Sequence, residues 1–412
     1  MSKEEVAELI APPQDGLDLV NAWLGYHGVL PSTISSEHGG SWLTIIGVPV
    51  SQANNLLTAS YQLYQHSGTN MTVLRTLSYK LPEMLLSYVQ TVAPTTQFGF
   101  PRTSWPKPLM RRAAEAHQKA PAEELGAGLS SRADPFRVTP DFLRWLYHTS
   151  AYVPTAAAFN VLGIVGYNNE YPSPTDLMLF MKQFRADATF ATYSVALVNG
   201  GAYNPNTPAE EPNLNIEYAE AISFPTRHIF YSSGNTWGDP ALNWLHYLLS
   251  QQNVPQTIST SYGHPEYLVS LDYATLLCNL YAQLGLRGAS VLAASGDDGV
   301  GKGNCQFKDS SGNLNVRFLP TFPSTCTCFL FPQSHYTFAG SPHWLRLGLR
   351  FHRSLGYQRR RDDGVPGGSG SYLWWWLLGL LSTASVPGRR RAPLPPEPRQ
   401  PVLRLLQVRS LP

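Results

Sequence analysis

The sequence predicts an α/β fold, a parallel sheet with helices on both faces, preceded by a small α+β domain. Three observations carry this. From about Phe136 to Phe318, apolar strand-like runs alternate with amphipathic helical stretches, the rhythm of βαβ units whose sheet is covered on both sides. Residues 1–104 instead mix short helical and strand signals without that alternation. The 412 residues, 43% hydrophobic and 12% aromatic, are enough for two or three domains with sizeable cores, which excludes global disorder.

In the first region, Ser2-Lys3-Glu4-Glu5 has the form of a capping box, and the helix it opens has to stop before Pro12-Pro13. Leu17, Val20, Trp23 and Leu24 give a second apolar helical face. Gly39-Gly40 breaks the chain before a strand over Trp42 to Val48. Ser51 is positioned to cap a helix through Ala53, Leu56 and Leu57, and a strand over Met71 to Leu77 follows. Residues 105–134 scatter basic side chains among Ala, Pro and Gly, the composition of an exposed linker suited to cleavage.

The second region, residues 135–328, predicts strands at Val161–Tyr167, Phe190–Val198, His228–Tyr231, Thr257–Tyr262 and Ala289–Ala294. Helices between them are expected to start near Ser173-Pro174, Glu211-Pro212, Asp239-Pro240 and Val269. Ser173 and Asp239 are good caps, each followed by Pro at the first helical position, where a missing N–H costs nothing. Ligands of such sheets bind beyond the carboxyl ends of the strands, so the segments after each strand form the expected site wall.

Charge divides the chain elsewhere. Overall it carries +2, which gives no global pointer to nucleic acid, but residues 329–412 hold 12 Arg, no Lys and 3 acids, net +9, leaving 18 bases and 25 acids before them, net −7. This Arg- and Pro-rich tail, with Arg359-Arg360-Arg361 and Arg389-Arg390-Arg391, has three readings: disorder without a role, a nucleic-acid or membrane arm, or the product of a shifted reading frame. The opening Met1-Ser2-Lys3-Glu4-Glu5 lacks the pattern of an export signal, and the longest apolar run, Leu373 to Leu381, is 9 residues, too short to span a bilayer. Cys278, Cys305, Cys326 and Cys328 do not form the paired clusters of a zinc site, and Cys278 lies in an apolar helix as a core residue. Asn70-Met71-Thr72 is a lone glycosylation triplet.

Two segments carry candidate chemistry. Ser295-Gly296-Asp297-Asp298-Gly299 follows an apolar strand, so small residues permit a sharp turn and Asp297 projects at the carboxyl edge of the sheet. In Glu211-Pro212-Asn213-Leu214-Asn215, a spacing of four puts Glu211 and Asn215 on one helical face, where their side chains can bond.

Taken with Val48-Pro49-Val50-Ser51-Gln52-Ala53-Asn54, Gln90-Thr91-Val92-Ala93-Pro94-Thr95-Thr96, Val138-Thr139-Pro140 and Pro320-Thr321-Phe322-Pro323, these segments resemble the sedolisins, the serine-carboxyl peptidases, nearest to secreted fungal tripeptidyl-peptidases. The resemblance covers most of residues 1–326 and implies a subtilisin-like catalytic domain behind a propeptide that acts as an intramolecular inhibitor. It implies extracellular, acid-optimum release of tripeptides from the free N-termini of polypeptides, with calcium as the family's metal. By the same resemblance Glu211 falls at the general base, Asp297 at the oxyanion position and Asn215 at the place of the Asp that orients the base. An amide there can bond Glu211 but cannot share a proton with it.

The family's Gly-Thr-Ser-Ala-Ser-x-Pro nucleophile motif has only a partial echo in Ser382-Thr383-Ala384-Ser385-Val386-Pro387, so no nucleophile is assigned. Nor does a calcium site emerge, since after Cys328 the acids are Asp362, Asp363 and Glu397 alone. These departures imply an inactive chain lacking the last part of the catalytic domain; the alternative is a non-enzymatic, propeptide-bearing inhibitor of an intact relative. Cys305 and Cys326 could form one disulfide if the protein is exported, the pairing being left open, and Ser261-Tyr262-Gly263-His264 closes a strand near the expected cleft as a candidate lining of the substrate groove.

Overall fold

The computed structural model describes residues 1–65, 72–98, 138–167, 169–234, 239–294, 306–308, 311–316, 320–326, 390–391 and 404–408. The expected linker, the Asp297 turn and most of the tail lie outside these residues.

The N-terminal body follows its local signals. In α1 (Lys3–Leu9) the Ser2 hydroxyl accepts from Glu5 N–H, and the Glu5 carboxylate accepts from Ser2 N–H. Helix α2 (Gln14–Tyr26) buries Val20, Trp23 and Leu24. Strands β1 (Ile34–Glu37) and β2 (Trp42–Ile45) pair antiparallel, and β2 is buried along its length. Helix α3 (Val50–Leu57) corrects the expected cap: its N-cap is Pro49, which leaves Ser51 inside the first turn. Strands β3 (Gln62–Gln65) and β4 (Thr72–Arg75) form a hairpin, followed by β5 (Val89–Thr91). Val20, Leu24, Ile45, Leu56, Leu57 and Leu85 centre one core for this body.

Within the tail, Arg404–Val408 lies between β2 and β5, antiparallel to both, and Arg390–Arg391 pairs with β3. This departs from a tail without regular structure. The unpaired N–H and C=O groups that β2 and β5 turn toward each other accept any extended segment that reaches them.

The second half opens with α4 (Pro140–Leu146), capped by Thr139, and β6 (Val161–Gly166). Then come α5 (Pro174–Phe184), β7 (Tyr193–Val198), α6 (Glu210–Ser223), β8 (Arg227–Ser233), α7 (Pro240–Ser250), β9 (Thr257–Thr260), β10 (His264–Pro265), α8 (Leu271–Leu286) and β11 (Ser290–Ala293). The caps read from sequence are present: Ser173 accepts from Asp176 N–H and Asp239 from Leu242 N–H. Strands β11, β9, β6, β8 and β7, in that order, form one parallel sheet.

Successive residues of each strand face opposite layers, as the period of two requires. Ile164 and Phe230 pack with Leu177 and Met181 of α5 and Ile216 of α6, whereas Val165 and Tyr231 pack with Trp244 of α7 and Leu276 of α8. Chain order fixes a further property. The crossover through α5 moves outward from β6 to β7, and α6 returns to β8 on the same face, so those two crossovers have opposite hands. The crossovers through α7 and α8 move the other way on the other face and share the hand of α5. Right-handed connections being the strong rule, the helix that carries Glu211 is the left-handed exception.

The two halves meet where Trp42 and Ala93 join the core of the α7–α8 layer. Among the described residues no helix is long and apolar enough to cross a membrane.

Candidate functional site

Glu211 is the second residue of α6, held there because the N-cap, Ala209, donates its N–H to Tyr171 C=O at 2.9 Å. One turn on, Asn215 is buried, and its Nδ2 donates to Glu211 Oε1 at 3.2 Å, the contact the spacing of four predicts. Beyond the end of β9, the buried Ser261 hydroxyl donates to Asn215 Oδ1 at 3.0 Å. The result is a chain of bonds, Ser261 to Asn215 to Glu211, at the carboxyl edge of the sheet. Asn215 is fixed at both ends, so its amide orientation is determined: the oxygen faces the serine and the nitrogen faces the carboxylate.

Tyr262 closes this edge. Its ring stacks on Tyr167 with centroids 4.2 Å apart, and its hydroxyl donates to Glu170 Oε2 at 3.5 Å. Burial, reinforced by the negative charges of Glu170 and Glu211, drives the Tyr262 pKa well up, so this phenol stays a neutral donor. His264 is buried with its pKa pushed down to about 3 by loss of solvation, so it stays neutral and is no acid-range proton acceptor. It sits in β10, paired with Phe322, and with Tyr262 and Gly263 it lines a small cavity.

Asp297 lies outside the described residues, so its distance from Glu211 is not part of the geometry. The strand leading to it is described. Beyond β11, Ala294 N–H donates to Thr260 C=O at 3.0 Å, one residue before Ser261. Ala294, the last described residue before that turn, therefore ends at the same edge as the Ser261 bond.

The Cys305–Cys326 disulfide that the sequence allowed is not formed. Cys326 pairs with Cys278 of α8, 48 residues away. The physical reason is the pairing of Thr321–Phe322 with β10, which turns the chain back over α8 and brings Cys326 to it. Cys278 is thus a bridge residue, not a solitary core thiol, and Cys305 and Cys328 lie outside the described residues.

Sequence reading missed a second network at the other end of α6. His228 Nε2 lies 2.9 Å from Ser223 Oγ, and His228 Nδ1 lies 2.8 Å from Glu220 Oε1, an ion-pair contact rather than a well-aligned hydrogen bond. The trio has the residue types of a Ser-His-Glu triad, but its protons run the wrong way. Ser223 donates its single hydroxyl proton to Ala219 C=O at 2.7 Å, so His228 Nε2 must donate to the serine instead of accepting from it. Glu220 and His228 are almost fully buried, and the trio closes the helix end.

Residues 1–98 match the family model "Pro-kumamolisin, activation domain". The chain is similar to "Probable tripeptidyl-peptidase SED3" of Arthroderma benhamiae, 31% identical over 348 residues that cover 79% of this chain and 56% of the relative. It is similar also to "Tripeptidyl-peptidase SED4" of Arthroderma otae, 30% identical over 377 residues, 86% of this chain and 58% of the relative. By sequence, the chain is similar to sedolisin-type peptidases. It spans little more than half the length of these sedolisin relatives. A solved Pseudomonas sedolisin, a serine-carboxyl proteinase complexed with two molecules of pseudo-iodotyrostatin, aligns at 18% identity with a TM-score of 0.32, covering 49% of this chain and 54% of that one. So distant a superposition adds nothing to the assignment.

Proposed function

We propose that the protein is by family a secreted tripeptidyl-peptidase of the serine-carboxyl type that lacks an assigned nucleophile, with residues 1–104 as its inhibitory propeptide and polypeptides with free N-termini as the substrates of the intact enzyme. The single observation that supports this best is the Ser261–Asn215–Glu211 chain, which aims a carboxylate from a helix start at the carboxyl edge of a parallel sheet. In this reading Glu211 is the general base. A carboxylate whose pKa lies near an acidic working pH both takes a proton from an attacking hydroxyl and returns it to the leaving amine, whereas imidazole would stay protonated. Asn215 and Ser261 orient Glu211 without exchanging protons with it. Asp297 donates to the developing oxyanion in its protonated form.

These 412 residues supply the base side of the reaction and no assigned nucleophile, so the polypeptide by itself is expected to turn over no substrate. The cleavage of N-terminal tripeptides from an unblocked oligopeptide at about pH 4, by purified residues 1–412, is the test. Turnover abolished by Glu211→Gln would establish the base and refute inactivity; turnover indifferent to Glu211→Gln would refute the site. The one cluster of three potential ligand groups among the described residues, Glu37, His38 and His246, is dominated by imidazole, whereas calcium selects oxygen.

The second reading, an inhibitor of an intact relative, is favoured by the separate core of the N-terminal body and by its match to an activation domain. Added to an active sedolisin, the full chain would then inhibit it at near-stoichiometric ratios.

A further inference from the structure

One cluster of ligand-bearing side chains lies apart from the Glu211 site and joins the two halves. Glu37 ends β1, His38 follows it, and His246 sits in the middle of α7. His38 Nε2 lies 3.0 Å from His246 Nδ1, and Glu37 Oε2 lies 4.0 Å from each nitrogen. The rings are inclined by 22° with centroids 5.2 Å apart, and the two nitrogens share one proton in a hydrogen bond that an incoming ion would displace.

We propose that Glu37, His38 and His246 form a divalent transition-metal site, with zinc as its ion, that pins the N-terminal body to α7. Two imidazoles and one carboxylate are a borderline-soft donor set of the kind zinc takes, and calcium or magnesium would not choose it. Tetrahedral zinc with bonds of about 2.0–2.1 Å separates two nitrogen ligands by roughly 3.3 Å. The histidine pair therefore opens by a few tenths of an ångström and the half-buried Glu37 closes in by roughly half an ångström, leaving one coordination position to water.

The surroundings fix the ligands. Thr44 Oγ1 donates to Glu37 Oε1 at 3.3 Å, which turns Oε2 toward the histidines, the kind of outer bond that orients metal ligands. Trp42 lies against the His246 ring with centroids 4.3 Å apart. His38 holds a left-handed backbone at φ 52°, and Gly39 follows at φ 68°, where a Cβ would come within 2.5 Å of Ala7 O. Such a conformation costs a β-carbon-bearing residue about 1–2 kcal/mol and persists only where its surroundings impose it. A cavity of about 110 Å³ lies beside His38, bordered by Lys3, Glu4, Ile10, Leu249 and Arg287.

This proposal stands independently of the peptidase reading. The full chain, stripped with EDTA and titrated with zinc chloride at pH 7, should bind one ion by calorimetry and unfold at a higher temperature when zinc is present. Cobalt should give the visible bands of a tetrahedral nitrogen–oxygen site. His38→Gln should abolish binding, and Thr44→Val should weaken it about 10–100-fold, as loss of an outer-shell bond does. His246 is buried, so His246→Gln is interpreted only if its circular dichroism matches the native chain; His38→Gln and Glu37→Gln carry the test otherwise. No zinc binding to the folded chain, undiminished binding by His38→Gln, or a cobalt–thiolate band would overturn the site and leave a simple N–H···N bond.

Discussion

The two ends of α6 invite comparison. At its start Glu211, Asn215 and Ser261 form a chain without histidine; at its end Glu220, His228 and Ser223 form one with it. Residue types alone would choose the second as the catalytic unit. Geometry disqualifies the second, which is buried and whose serine donates its hydrogen bond to Ala219 C=O, and leaves the first as the candidate, at the carboxyl edge of the sheet. The lesson is that a triad is a direction of proton flow before it is a set of side chains. Halfway along the same helix, Glu217 shows a third carboxyl environment: half-buried, its pKa is raised to about 7 by burial first and the charge of Asp176 second.

The sharpest way to break the comparison is at the buried end. His228→Ala removes one partner of a buried pair and strands Glu220, so it should cost about 3–5 kcal/mol, read as a lower urea midpoint. A loss below about 1 kcal/mol would mean that this network does not hold the helix end.

At the other end Asn215→Ala removes the acceptor of the buried Ser261 hydroxyl together with a donor to Glu211. The expected loss is about 1–3 kcal/mol with the fold retained. If the stability of Asn215→Ala matches that of the native chain, the two bonds do not form in solution and the candidate site loses its support.

The smallest effect is a pH dependence. Glu217 binds its proton more tightly folded than unfolded, so the stabilisation is fully present below the unfolded value of 4.5 and is lost as pH rises through about 7. Allowing for its partial exposure, about 1 kcal/mol is at stake. Between pH 7 and pH 4.5 the native chain should gain thermal stability from this group, and Glu217→Gln should flatten that part of the profile. An unchanged slope in Glu217→Gln would assign the gain elsewhere.

What was legible in the sequence was local. The Ser2–Glu5 capping box, the Ser173-Pro174 and Asp239-Pro240 helix starts and the Glu211–Asn215 spacing each depend on side chains within four residues of one another, where helix geometry alone sets the contact. Alternating strands and helices likewise foretold a parallel sheet covered on both faces. The Ser51 cap failed even so, because an extended Pro49 begins the helix earlier than composition suggests. The sedolisin resemblance rested on segments spread along the chain, and it survived the comparison with known relatives.

Contacts between distant segments were not legible. Ser261 is 46 residues from Asn215, Cys278 is 48 from Cys326, and His38 is 208 from His246. Spacing says nothing about such pairs, since they depend on which strand lies beside which and on which face each helix packs. By itself the sequence determined the strands and helices of the parallel-sheet region, the Ser2, Ser173 and Asp239 caps and the face Glu211 shares with Asn215, all consequences of local backbone geometry. The tertiary structure alone decided strand order, the odd hand of the α6 crossover, the partner of Cys326 and the meeting of Glu37, His38 and His246. Those depend on how the two layers of helices bury the sheet, a property of the whole chain that no short stretch of it contains.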